Sequence, residues 1–168
     1  ALLDQGCNAG RPIAILSDNS IEFALVHLAA MTVGVPIMPV SPAYSLMSRD
    51  HLKLKSVIES NDPSMIFVQE RGPFEPALAA IDHSRAMLVT GDDLAGWMET
   101  VAGPEVESRL AQVTPDTVAK ILLTSGSTGQ PKGVITTQRM LCSNQAMIAY
   151  SWPFLEDKPP VLVDWLPW

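Results

Sequence analysis

Lys120-Ile121-Leu122-Leu123-Thr124-Ser125-Gly126-Ser127-Thr128-Gly129-Gln130-Pro131-Lys132-Gly133-Val134-Ile135 decides how this chain is to be understood. An apolar strand runs straight into six consecutive residues, Thr124 to Gly129, that are all Thr, Ser or Gly. After Gln130 come Pro-Lys-Gly and a second β-branched run, Val134-Ile135-Thr136-Thr137. Gly126 and Gly129 allow the backbone to turn its N–H groups to one side and leave no Cβ in the way. Thr124, Ser125, Ser127 and Thr128 add hydroxyl donors. Lys132 supplies a point charge able to reach a phosphate, and Pro131 restricts the backbone just before it. The pattern suits a polyphosphate better than a plain flexible loop, because spacing, lysine and flanking strands agree. It is not the G-x-x-x-x-G-K-[ST] loop. Counted from Gly126, Pro131 stands where a glycine is required, Gly133 follows the lysine where Ser or Thr is required, and a strand rather than a helix comes next.

Outward from the loop, strands and helices alternate. Ile13 to Leu16 is a short buried strand after Pro12. Asp18-Asn19-Ser20 offers helix caps, and Ile21 to Val33 follows as an apolar helix ended by Gly34. Ile21, Leu25 and Leu28 form one stripe of it, while Phe23, Val26 and Ala30 lie elsewhere, so burial on more than one side is expected. Val35 to Val40 holds Pro36 and Pro39 and reads as a short or edge strand. Ser41 to Tyr44 reads as a turn. Ser48 is positioned to cap a helix running to about Ser60, with Leu54, Val57 and Ile58 inward. Strands at Met65–Val68 and Met87–Thr90 enclose a helix at Pro76–Ile81. Leu94–Val101 reads as a helix, and Pro104–Pro115 as a loop or short helix. This alternation implies an α/β fold with a largely parallel sheet and flanking helices.

The bulk properties exclude several classes. Of the 168 residues, 47% are hydrophobic and only 17% charged, against roughly 25% charged in ordinary globular chains. More protein is expected to cover part of the surface. The longest uncharged apolar stretch, Phe23 to Val40, is broken by His27, Thr32, Gly34, Pro36 and Pro39, so no transmembrane segment is expected. The net charge is −7, and no basic stripe invites nucleic acid. Cys7 and Cys142 stand far apart with no C-x-x-C pair, which removes a zinc or redox motif. Both are expected to be free thiols in a reducing, cytoplasmic setting, although one long-range disulfide stays open. Ala1 to Gly6 reads as the last turn of a helix with Gly6 just past its end. Val161 to Trp168 stops just after an apolar run, and both ends read as cut. His27, His51 and His83 have no ligand spacing and read as structural or surface residues. Cys142, on a helix after the loop, reads as core.

The string T-S-G-S-T-G-Q-P-K-G resembles the signature of the adenylate-forming (AMP-binding) superfamily, which includes acyl-CoA synthetases, luciferases and nonribosomal peptide adenylation domains. Leu28 to Val40 resembles that family's early helix-to-strand element. Asp164-Trp165-Leu166-Pro167-Trp168 resembles the segment before its acyl-substrate pocket. With Arg139-Met140-Leu141-Cys142-Ser143-Asn144-Gln145, that ending looks most like feruloyl-CoA synthetase and related aryl or fatty acyl-CoA synthetases. The resemblance implies that residues 1–168 are an incomplete part of the large N-terminal domain of an adenylate-forming enzyme.

It further implies that Thr124, Ser125, Gly126, Ser127, Thr128, Gly129, Lys132 and Gly133 serve the β and γ phosphates of ATP. No covalent catalyst falls within the chain. ATP with Mg²⁺, a small carboxylic acid and CoA are the implied substrates, with the metal ligand beyond Trp168. Asp164 is a candidate to face the active site, and Trp165 and Trp168 to line the acyl pocket, against ordinary capping and core roles. The expected chemistry is an acyl-adenylate followed by an acyl-CoA thioester, with these 168 residues inactive alone. An adenylation domain loading a carrier protein, or a non-catalytic phosphate-binding module, are the alternatives. The incomplete domain implies a large exposed apolar patch or an oligomer that hides it.

Overall fold

The computed structural model describes residues 1–125, 129–157, 161 and 163. Six strands form one sheet in the order β4-β3-β1-β2-β5-β6. They are β1 (Ile13–Ile15), β2 (Ile37–Pro39), β3 (Met65–Phe67), β4 (Met87–Val89), β5 (Val118–Ser125) and β6 (Pro131–Thr137). All pairings are parallel except β5 with β6, an antiparallel hairpin. Helices cover both faces, as the alternation required: α1 (Ile21–Thr32), α2 (Pro42–Leu46), α3 (Leu52–Asn61), α4 (Arg71–Ala80), α5 (Gly91–Trp97), α6 (Pro104–Ala111), α7 (Gln138–Ser151) and α8 (Phe154–Asp157).

The two faces of the sheet bury alternate residues of each short strand. Ile13, Ile15, Ile37, Met65 and Phe67 pack with Phe23, Val26 and Ala30 of α1 and with Leu94 of α5. Ala14, Leu16, Met38, Ile66 and Val68 pack on the other face with α3 and α4. A strand buried on both faces reads as an uninterrupted apolar run, which is how these strands appear in sequence.

Local signals place most element ends. The Ser20 hydroxyl accepts from the Phe23 N–H at 3.0 Å and opens α1. Gly34, at φ 72°, ends it. At the chain start, the Gly6 N–H donates to Leu3 O and the Cys7 N–H to Leu2 O, with Gly6 at φ 78°. That crossed pair, with glycine in the left-handed region, is the hydrogen-bond pattern that closes helix ends, here on residues that form a turn rather than a helix. Thr90 and Asp93 make a reciprocal capping box at the start of α5. Both cysteines are free.

Several expectations are corrected. The strand with two prolines is short, three residues, which is one of the two expected alternatives, but it is interior rather than at an edge, lying between β1 and β5. The β1-facing bonds use Pro36 O and the Val40 N–H, so Pro39 points its missing donor toward β5. There the pairing consists of Ile37 opposite Lys120, and no bond is lost at Pro39. Of the expected α1 stripe only Leu25 packs against the core. Ile21 and Leu28 are 76% and 62% exposed, and Phe23, Val26 and Ala30 face the sheet. Ser41–Tyr44 is not a simple turn, because Pro42 begins α2. Ser48 does accept from the His51 N–H, but α3 starts later, after His51 in a left-handed conformation. The fourth helix begins at Arg71, well before Pro76. Cys142 is exposed rather than core, because α7 buries no residue.

Candidate functional site

The β5–β6 hairpin builds the site. β5 is eight residues long, whereas β1 to β4 have three each. Lys120 lies opposite Ile37, and β2 ends two residues later at Pro39. The remaining residues of β5 therefore carry the chain about 10 Å past the C-terminal edge of the parallel strands. That edge is where open α/β sheets bind their ligands.

Thr124 and Lys132 are cross-strand partners, so their exposed side chains share one face of the hairpin. The Thr124 hydroxyl donates to Lys132 O at 3.4 Å. Ser125 lies opposite Pro131. Gly129, exposed at φ 79°, supplies the left-handed turn that starts the chain back. Gly133 lies in β6 opposite Leu123. A Cβ there would come within 2.9 Å of Ile121 Cγ2, so the bare backbone lets the hairpin pack. Gly126, Ser127 and Thr128 lie outside the described residues, as do Asp164, Trp165 and Trp168. The structure thus brings together Thr124, Gly129 and Lys132, at the mouth of the loop.

Below the hairpin is a cavity of about 230 Å³ that sequence reasoning missed. Ser17 and Asp18 after β1, Ser41 and Tyr44 after β2, and Leu122 and Leu123 of β5 line it. The signal was available in principle, since these residues follow strand C-termini, but it required the strand order. The Ser17 hydroxyl accepts from the Gln69 N–H at 2.5 Å and ties the ends of β1 and β3 together. A larger groove of about 520 Å³ lies between the N-terminal turn, α1, α5 and α6. It contains none of the loop residues and no cation, so it does not suit a phosphate.

Behind the hairpin, Lys120 and His27 face a common half-buried region. Burial, and then the Lys120 charge, lower the His27 pKa to about 4. Burial lowers that of Lys120 as well. His51 is buried, with Nδ1 3.3 Å from Tyr44 O, and His83 is half-buried. Among the described residues no three His, Cys, Asp or Glu side chains gather as an ion site. No described helix is long and apolar enough to cross a membrane.

Fold and hairpin together define an α/β domain whose β5–β6 hairpin extends past the ends of the parallel strands. The profile of the AMP-binding enzyme family matches residues 1–167, and the chain belongs to that family. It is 34% identical over 145 residues to tenellin synthetase of Beauveria bassiana, covering 82% of this chain and 3% of that protein. It is 27% identical over 141 residues to sulfoacetate–CoA ligase of Cupriavidus necator, covering 83% and 27%. Among solved structures, McyG A-PCP complexed with phenylalanyl-adenylate superposes with a TM-score of 0.70 at 23% identity. That match covers 89% of this chain and 23% of the other. The chain thus spans only part of these three proteins: 3%, 27% and 23% of their lengths.

Proposed function

We propose that this chain is the triphosphate-gripping part of the large N-terminal domain of an ATP-dependent carboxylate-activating ligase. In that reaction a carboxylate oxygen attacks the α-phosphorus of ATP. The bond from that phosphorus to the bridging oxygen breaks, and pyrophosphate leaves as acyl-adenylate forms. A thiol sulfur then attacks the acyl carbon, and AMP departs. The loop Thr124–Gly129 holds the β and γ phosphates through hydroxyls and backbone N–H groups, with Lys132 as the charged contact and Gly133 allowing the return strand to pack. Its contribution is positioning and charge stabilisation of the leaving group.

The supporting observation is the placement of Thr124 and Lys132 on one exposed face of a hairpin that overhangs the strand ends. CoA is the proposed thiol, and an aromatic acid of the feruloyl type the proposed substrate. In the full-length enzyme, Lys132→Ala is expected to slow adenylation about 10²-fold. Thioester formation from supplied acyl-adenylate should slow much less. Pyrophosphate exchange and single-turnover thioester assays measure the two steps separately. Equal loss in both would remove the assigned role. The 168 residues alone are expected to make no acyl-CoA, and detecting that product would refute the partial-domain reading.

A carrier-protein thiol in place of CoA is the second reading. The superposable A-PCP structure supports it, as does a surface on α2 and α3.

A further inference from the structure

The segment Leu46–Lys55 reverses the sign of the chain. It carries Arg49, Lys53 and Lys55 against Asp50, in a protein of net charge −7. Asp50 is already engaged: its carboxylate accepts from the Ser48 hydroxyl and the Leu52 N–H, each at 3.2 Å. Among the described residues Arg49, Lys53 and Lys55 form no ion pair. Beside them stand three apolar side chains with little cover: Leu46 at 46%, Met47 at 81% and Leu52 at 58% exposure. These apolar groups and the two outermost cations line neither the strand-end cavity nor the α1 groove. They form an outward surface, not a pocket. A small anion prefers a concave site with converging donors. A broad mixture of apolar and basic side chains suits the face of an acidic amphipathic helix.

This surface is also placed to matter. Lys53 Nζ lies 5.5 Å from the centre of the Tyr44 ring. Tyr44 in turn lines the strand-end cavity together with Leu122 and Leu123. We infer that Leu46, Met47, Arg49, Leu52 and Lys53 form the docking surface for an acidic, thiol-bearing carrier protein, which would deliver its thiol to that strand-end cavity. The inference rests on the second reading of the proposed function, the one with a carrier-protein acceptor.

The probe is a fluorescently labelled, phosphopantetheinylated acyl carrier protein, titrated with the full-length enzyme and followed by anisotropy. Binding is expected to weaken as salt is raised. Arg49→Glu with Lys53→Glu is expected to weaken it about tenfold or more. Met47→Asp, at a side chain that packs against little, tests the apolar half and should weaken it several-fold. Circular dichroism of each variant should match the parent. A titration unchanged by the charge reversal would overturn the proposal, as would absence of binding at about 100 μM carrier, weaker than most specific contacts. Displacement of the carrier by free CoA, with the same variants abolishing CoA binding, would also overturn it and assign the surface to a nucleotide anion. A fluorescent ATP analogue serves as the independent arm. Absence of carrier binding by the unmutated enzyme with ATP binding intact sinks the docking surface alone. Carrier binding without ATP binding sinks the phosphate-loop reading alone.

Discussion

His27 shows how one residue can couple stability to pH. Its imidazole packs edge-on to Phe23, with ring centroids 5.9 Å apart, and burial plus the Lys120 charge hold its pKa at about 4. In the unfolded chain it titrates near 6.5. Between these values the unfolded state binds more protons than the folded one. Stability is therefore undiminished above about 6.5 and falls as pH drops toward 4. Urea melts across pH 7 to about 4.5 should show this decline, and His27→Gln should flatten it. The exposed carboxylates of Asp50, Glu75, Asp82 and Asp93 have pKa values lowered by their hydrogen bonds. They add losses only at the acid end, so the upper part of the window belongs to His27. A parallel decline in the parent and in His27→Gln would contradict the assignment.

At the scale of elements, the N-terminal ends of three parallel strands are tied by one guanidinium. Arg11, just before β1, donates through Nε to Asp62 O at 2.9 Å, and through one terminal nitrogen to Asp62 Oδ1, Pro63 O and Arg85 O. Asp62 ends α3 in a left-handed conformation at φ 42°, and Arg85 also pairs with it at 3.0 Å. The same cluster thus joins the approaches to β1, β3 and β4. Arg11→Ala leaves several acceptors without a partner and is expected to cost about 1–3 kcal/mol, read as a lower urea midpoint. Arg11→Lys should recover little, because an ammonium cannot reproduce the planar fork. Full recovery by lysine would mean that charge alone, not the fork, matters. The interior placement of β2 follows the same logic of donors. Pro39 is tolerated because its missing N–H falls where β5 makes no demand on it.

The molecule as a whole has an asymmetric surface. The β1–β4 half of the sheet is covered on both faces, while α7 buries nothing and the hairpin exposes Leu122, Val134 and Ile135. Met140, Met147, Tyr150, Trp152 and Phe154 add to that apolar side. Surfaces of this kind are uncommon on independent monomers and mark contact with more protein. The isolated chain is expected to bind an apolar reporter dye strongly and to sediment above monomer mass at micromolar concentration. A dye-silent monomer would favour a self-contained phosphate-binding module over part of a larger domain.

Sequence alone determined the α/β class, the positions of the strands and the strand–loop–strand that resembles an adenylate-forming signature. These are local properties, written in residue type and spacing over a few positions. Only the tertiary structure decided which way each element faces and what it stands beside. The helix Ile21–Thr32 is apolar all round, so its pattern does not choose between Ile21 and Phe23; the sheet does, by burying Phe23. Two prolines argued for a short or edge strand, and only the direction of each backbone donor showed how a short one sits in the interior. Cys142 was apolar enough for a core that the described chain does not build around α7. The strand-end cavity and the basic surface of α2 and α3 depend on residues far apart in sequence. No local period encodes such neighbours, because they are set by strand order and by what packs across the sheet.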